Sequence, residues 1–220
     1  MARHITEVGV PLRGDGTPFP PDPDEWTAEE RDYLETYFFH GELQTGIEYE
    51  QVATVDVGDM EETGGGDVAN VASTAWHVIE SNKPSPSLAT NSCNAVPAGV
   101  SDPFSSLGPN RLTWRLRLEN AFTVDVVDIE FDLRWEYGAR HSGGGAYIPN
   151  CYLYVPTCSV LWGFEVNAQI HVHHPTNAGT DTAPIARLPL TVSGAVSSLV
   201  GTHGVRWDFD LFGNGAYQVR

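Results

Sequence analysis

The clearest pattern along the chain is a two-residue alternation of apolar and polar positions. In residues 111–118 three leucines and Trp114 alternate with three arginines and Thr113. Successive side chains of a strand point to opposite faces, so this alternation predicts a strand with one buried face. The same period recurs in residues 162–172 and 205–211. Residues 46–220 are therefore predicted to form a mainly β domain, an antiparallel β-sandwich of jelly-roll-like type.

Residues 122–135 carry the same period with one change of phase. The apolar positions are first Phe122, Val124 and Val126, and then Val127, Ile129, Phe131, Leu133 and Trp135. One extra residue that moves the apolar side chains to the other face is the sign of a β-bulge. We predict a long strand with a bulge at Val126 and Val127.

The N-terminal part of the chain has a different composition. Residues 1–26 contain five prolines, which favour extended backbone. The stretch that follows predicts a helix, because Thr27 and Glu30 match a capping box and Gly41 suits the C-terminal end. Its apolar side chains are Leu34, Tyr37 and Phe38. We divide the chain into an arm with a short helix, residues 1–45, and a sandwich domain, residues 46–220.

Two segments give less direct signals. Residues 68–79 fit either period, and we favour a helix that Asp67 caps. Pro189 interrupts an apolar strand pattern, and proline lacks the N–H that a sheet ladder needs. We therefore place residues 187–192 on an edge strand.

The charge balance narrows the functional classes. The chain has 29 acidic and 12 basic residues and a net charge of −17, and Lys83 is its single lysine. Such a surface repels nucleic acid and anionic membranes, so we expect no direct nucleic-acid binding. No apolar stretch is long enough to span a bilayer, and we expect no membrane insertion. Acid excess with little lysine suits a halophilic source, although a GC-rich genome gives the same arginine bias.

Three of the eight histidines lie within residues 171–174. On a strand, His171 and His173 share a face about 6–7 Å apart, a spacing that suits a metal. The pair resembles one element of the cupin metal motif and of the α-type carbonic anhydrase zinc site. No glutamate follows at the cupin position, and the third ligand would come from His203, His141 or Asp208. A hydrogen-bonded histidine cluster is the favoured interpretation, and a cupin-like metal site is the alternative.

Other candidate chemistry is sparse. The sequence lacks the nucleophile elbow, the phosphate-binding loop and the HExxH, CxxC and dinucleotide-binding motifs. An acidic, glycine-rich stretch at residues 56–67 and the tyrosines at 147, 152 and 154 leave a carbohydrate-binding sandwich as a second alternative. Cys151 and Cys158 could close a small loop, but free thiols are favoured. We expect no cofactor and no enzymatic activity.

The predicted strands of residues 46–220, the proline-rich arm and the acidic surface resemble the jelly-roll capsid and decoration proteins of viruses of halophilic archaea. The resemblance implies a virion structural protein that is made in the host cytoplasm, forms homo-oligomers and also contacts other virion proteins. It also implies that the arm locks neighbours together. The expected interface residues are the helix positions Leu34, Tyr37 and Phe38 and the arm positions Val8, Val10, Leu12 and Phe19.

Overall fold

The computed structural model describes residues 12–13, 15–20, 23–39, 43–48, 74–97, 106–120, 123–198 and 201–220. In residues 35–39 and 43–48 it describes the backbone alone. Within these ranges the chain forms one α-helix, α1 (Ala28–Phe39), and thirteen strands. The strands are β1 (Leu43–Glu48), β2 (Thr74–Glu80), β3 (Lys83–Pro84), β4 (Cys93–Ala95), β5 (Gly108–Glu119), β6 (Asp125–Tyr137), β7 (Ala139–His141), β8 (Gly144–Val160), β9 (Phe164–Val172), β10 (Thr176–Asn177), β11 (Ala186–Ser198), β12 (Gly201–Phe212) and β13 (Tyr217–Val219).

The strands form two antiparallel sheets. The first sheet has the order β1-β5-β6-β8-β4, and β7 pairs with β8. The second sheet has the order β13-β12-β11-β9-β2-β3, and β10 pairs with β11. Each sheet contains two long antiparallel strands that are neighbours in the sequence, namely β5 with β6 and β11 with β12. The prediction of a mainly β, antiparallel sandwich is confirmed.

Alternating side chains build the core between the sheets. Every second residue of β9, from Phe164 to Val172, is buried, and the residues between them are exposed. In β5 the apolar positions 112, 114, 116 and 118 are buried in the same way. Rings from the two sheets meet at the centre, where Trp114 and Phe131 lie against Trp207 and Phe209. The period of two therefore predicts both the strands and their inner faces.

The bulge in β6 is also confirmed. Leu118 of β5 lies opposite Val127, whereas the next residue, Glu119, lies opposite Asp125. Val126 has no partner in this register, and both Val126 and Val127 are fully buried. The extra residue lets two adjacent apolar side chains enter the core.

The helix expected between Asp67 and Ile79 is wrong for the described part of that segment. Residues 74–80 form the strand β2, which pairs with β9. Val78 and Ile79 are both fully buried there, next to a register shift between His77 and Ile79. The open edge of β9 supplies backbone hydrogen bonds that the local pattern cannot reveal. Residues 67–73 lie outside the described ranges.

The placement of Pro189 on an edge strand is also wrong. Its strand, β11, pairs with β12 on one side and with β9 on the other. The Pro189 carbonyl accepts a 3.0 Å hydrogen bond from the His173 N–H, so the side of Pro189 that lacks a donor faces the end of β9. The paired register of β9 ends at Val172. A central strand accepts this proline because it lies just beyond that ladder.

The N-terminal segment packs onto the helix. The capping box is present, because Thr27 N–H donates to Glu30 Oε2 at 2.8 Å and Glu30 N–H donates to Thr27 Oγ1 at 3.2 Å. Arg13 forms an ion pair with Glu30 at 2.8 Å. The Phe19 ring stacks on Tyr33 with a centroid distance of 6.0 Å. The described residues of 12–34 thus form the base of the arm, in which polar and aromatic contacts hold Arg13 and Phe19 to α1.

Two residues assigned to an interface lie in the interior of the single chain. Leu34 is fully buried and Phe19 is 6% exposed, and both belong to the main core cluster together with Trp26. Their apolar surface is therefore used within the chain. The predicted boundary after residue 45 falls inside β1, which pairs with β5. The base of the arm and the sandwich share one core.

The acidic residues of β6 form an ion-pair ladder on the outer face of the first sheet. Asp125 pairs with Arg117 and Asp128 pairs with Arg115, in both cases through two hydrogen bonds. Asp132 is fully buried and accepts hydrogen bonds from Arg111 at 2.9 Å and from Arg134 at 2.6 Å. The ladder combines exposed pairs with one buried carboxylate that two arginines hold.

Replacing Asp132 by alanine should lower the free energy of unfolding by about 2–3 kcal/mol, because charge-assisted hydrogen bonds to a buried carboxylate are lost. The matched control is Asp128→Ala on the same strand, where the exposed pair should cost about 1 kcal/mol or less. Urea unfolding of both variants measures the difference. Equal losses would contradict the distinction between the buried and the exposed pair.

Candidate functional site

The outer face of the second sheet carries the predicted histidines. β9 presents His171 next to Thr191 of β11, and Thr191 lies opposite Asp208 of β12. His173 follows the end of β9 and lies beside the same residues. The sheet register therefore brings histidine, hydroxyl and carboxylate groups from three strands onto one polar surface.

The two histidine rings stack on each other. Their centroids are 4.5 Å apart and their planes differ by 10°. Burial lowers the pKa of His173, and the charge of the nearby His171 lowers it further. The pair therefore favours the neutral form of His173.

A hydrogen-bond chain fixes the orientation of His173. Thr191 Oγ1 donates to Asp208 Oδ1 at 2.6 Å, and it lies 2.9 Å from His173 Nε2. Because the hydroxyl has one proton and gives it to Asp208, Nε2 of His173 must be the donor to Thr191. Arg206 binds both oxygens of Asp208, at 2.8 and 2.9 Å. The hydrogen bonds from Arg206 and then Thr191 hold the pKa of Asp208 below its usual value.

This geometry is a poor arrangement for one shared metal ion. The nitrogen lone pairs of the two stacked rings lie in nearly parallel planes, whereas the ligands of one ion converge on a point. Nε2 of His173 is already a donor to Thr191. Among the suggested third ligands, Asp208 is close, His203 lies farther along β12, and His141 is on β7 of the other sheet. The described residues contain no group of three metal-ligating side chains that could hold an ion.

The order of the groups also differs from that of a nucleophilic triad. In a triad the imidazole stands between the carboxylate and the hydroxyl and takes the hydroxyl proton. Here the hydroxyl of Thr191 stands between Asp208 and His173 and donates to the carboxylate. The chain of hydrogen bonds orients His173 and does not activate Thr191 for attack.

A polar pocket of about 400 Å³ opens beside this chain. Its charged lining consists of three arginines, two aspartates and one histidine: Arg187, Arg206, Arg220, Asp208, Asp210 and His173. Asp210 is 1% exposed and receives hydrogen bonds from Arg187 at 3.1 Å and from Arg220. With His173 neutral, three positive and two negative charges face the pocket. The pocket is locally basic in a chain of net charge −17, and guanidinium groups suit carboxylate or phosphate oxygens.

The other sequence candidates that the structure describes do not line this pocket. Tyr147 is 6% exposed, whereas Tyr154 is 52% exposed and lies under the Arg134 guanidinium at 6.0 Å from its ring centroid. The acidic stretch 56–67 and the residues Val8 and Val10 lie outside the described ranges. Leu12 forms a bridge with Pro18 at the base of the arm. For Tyr37 and Phe38 the structure gives the helical backbone alone.

All three cysteines are free thiols. Cys151 and Cys158 lie on the same strand, β8, seven positions apart. A strand rises by about 3.3 Å per residue, so these two thiols are too far apart to form a disulfide. The small loop considered from the sequence is therefore wrong, and the preference for free thiols agrees with the structure.

Comparison of the chain with protein-family models, curated proteins and solved structures gave no match. In the described parts of the chain, no helix has the length and apolar character needed to cross a bilayer.

The sequence pattern identified the histidines of this surface but missed the arginine pocket. The alternation of apolar and polar residues in β12 predicts that Arg206, Asp208 and Asp210 lie on the outer face. Arg187 and Arg220 join them only through the pairing of β11 and the chain end with β12. The spacing of residues in the sequence does not predict how β11 and the last residues pair with β12.

In a histidine NMR titration, His173 should titrate below its ordinary pKa of 6.5. Replacing His171 by glutamine removes the like charge and should raise the pKa of His173. His203→Gln, farther along β12, is the control and should leave the titration unchanged. A His173 pKa at or above 6.5, or one insensitive to His171→Gln, would contradict the stacked arrangement. Because the folded-state pKa is lowered, protonation favours the unfolded chain, and stability should fall as the pH drops below about 6.5.

Proposed function

We propose that the protein is a structural component of a virus particle, a capsid or decoration protein that acts through self-assembly. The observation that carries the proposal is the anchored base of the N-terminal arm. Residues 12–34 are fixed to the sandwich by Phe19, Trp26 and Leu34, all in the main core cluster. The arm therefore joins the domain at a fixed point, the described residues around Phe19 and Trp26.

The sequence of the arm suits a contact with a neighbour. Residues 1–11 include Val8, Val10 and Pro11, and Val8 and Val10 are apolar side chains in a segment that also contains Arg3 and Glu7. Proline removes a backbone donor, so the segment is suited to lie in a groove or along an edge of another subunit. Such an arm joins copies of the domain, and the sandwich needs no additional strand or helix for this contact.

The charges of the domain support a role in assembly under high salt. Eight arginines of the described residues form ion pairs with Asp or Glu. The acidic residues outnumber the basic ones by 29 to 12, so most of the negative charge has no cation within the chain. Copies of the protein therefore repel each other until salt screens them.

Deletion of residues 1–11 tests the proposal directly. The shortened chain should keep its melting temperature within a few degrees, because Phe19, Trp26 and Leu34 stay in place. It should lose the oligomer that the full chain forms, as measured by light scattering at molar KCl. Val8→Asp with Val10→Asp in the full-length chain should give the same loss without a change of length.

A second deletion separates assembly from folding. Removing residues 1–26 also removes Phe19 and Trp26 from the core and should destabilise the fold by about 3 kcal/mol or more. If the chain without residues 1–11 assembles like the full-length protein, the arm has no role in assembly and the proposal fails.

A further inference from the structure

Two of the three cysteines lie directly opposite each other at the edge of the first sheet. Cys93 of β4 is the register partner of Cys151 of β8. Opposite residues of antiparallel strands place their side chains on the same face, with Cα atoms about 4.5–5.5 Å apart. Disulfides join cysteines whose Cα atoms lie about 4.4–6.8 Å apart. The backbone of this pair therefore already has the separation that a disulfide needs.

The Cys93 side chain also contacts Cys151. Cys93 Sγ donates a hydrogen bond to the carbonyl oxygen of Cys151 at 3.6 Å. The third cysteine, Cys158, is at the other end of β8, where its Sγ lies 3.5 Å from the Asn82 carbonyl oxygen. Only one pairing of the three thiols is therefore compatible with the fold.

We propose that Cys93 and Cys151 are a modification site, at which a low-molecular-weight disulfide oxidises the two thiols to one cross-strand disulfide. In the first step the thiolate of one cysteine attacks a sulfur of the small disulfide. One small thiol leaves with a proton, and a mixed disulfide remains on the protein. The thiolate of the second cysteine then attacks the protein sulfur of the mixed disulfide and releases the second small thiol. Two protein thiols are oxidised, and one small disulfide is reduced to two thiols.

The environment of the pair controls when this reaction occurs. Cys93 is 6% exposed and Cys151 is 1% exposed, so the folded chain shields both thiols from a reagent. The interaction with the Cys93 side chain and then burial raise the pKa of Cys151. A shielded thiol with little thiolate reacts slowly. The disulfide should form while the chain folds, or when β4 detaches from β8, and it should persist once β4 has docked.

The bond would link the short edge strand β4 covalently to β8. β4 has three residues and is the last strand of the first sheet. The two cysteines are 58 positions apart in the sequence, so the bond would close a long loop of the unfolded chain. Closing such a loop stabilises the folded state mainly by restricting the unfolded one. The oxidised protein should gain stability without a change of fold. This gain does not depend on the proposed role in assembly.

The test uses the full-length chain refolded with either reduced or oxidised glutathione. Thiol alkylation followed by mass spectrometry should find three free thiols in the reduced protein and one, Cys158, in the oxidised protein. Peptide mapping of the oxidised wild-type protein should show the Cys93–Cys151 disulfide. The oxidised form should melt roughly 5–15 °C higher than the reduced form.

Cys158→Ser is the matched control, and it should retain both the link and the rise in melting temperature. Cys93→Ser should lose both. Peptide mapping of the wild type decides the pairing even if Cys93→Ser fails to fold. Three free thiols after oxidative refolding, or a link that includes Cys158, would overturn the proposal.

Discussion

The contact on which the rest of the structure depends is the aromatic cluster between the sheets. Trp114 of β5 lies 5.1 Å from Phe131 of β6 and 4.9 Å from Phe209 of β12, between ring centroids. Trp207 contacts Trp114 and Phe131 at 6.0 and 5.7 Å. Because side chains alternate between faces, fixing these four rings inward fixes every neighbouring position outward. The ion-pair ladder on β6 and the polar chain from His173 to Asp208 both follow from that register. A slip by one residue would bury the carboxylates and expose the rings.

Local patterns predicted those parts of the fold that depend on a single strand or helix. The inner faces of β5 and β9 were readable from the period of two, and the bulge at Val126 was readable from a change of phase. The capping box of Thr27 and Glu30 was readable from its spacing. Features that depend on the pairing of distant strands could not be predicted from the sequence. Residues 74–80 form a strand because they pair with the edge of β9. Pro189 is tolerated in a central strand because the paired register of β9 ends beside it.

The same distinction applies to the candidate sites. His171 and His173 were placed correctly on one polar face, but their stacking and the role of Thr191 depend on β11 and β12. The pairing of Cys93 with Cys151 required the register of β4 on β8. Leu34 and Phe19 were both expected at an interface with a neighbour because of their apolar character. The structure shows that they are buried within the chain, which moves the expected contact with a neighbour to the residues before Leu12.

A sandwich with eight arginines in ion pairs and a large excess of acidic residues should associate only when that charge is screened. Sedimentation velocity of the full-length protein from low salt to molar KCl tests this most directly. We expect a 24 kDa monomer at low salt and a larger, defined assembly at high salt. A monomer at every salt concentration, or an assembly that dissociates as salt rises, would contradict it.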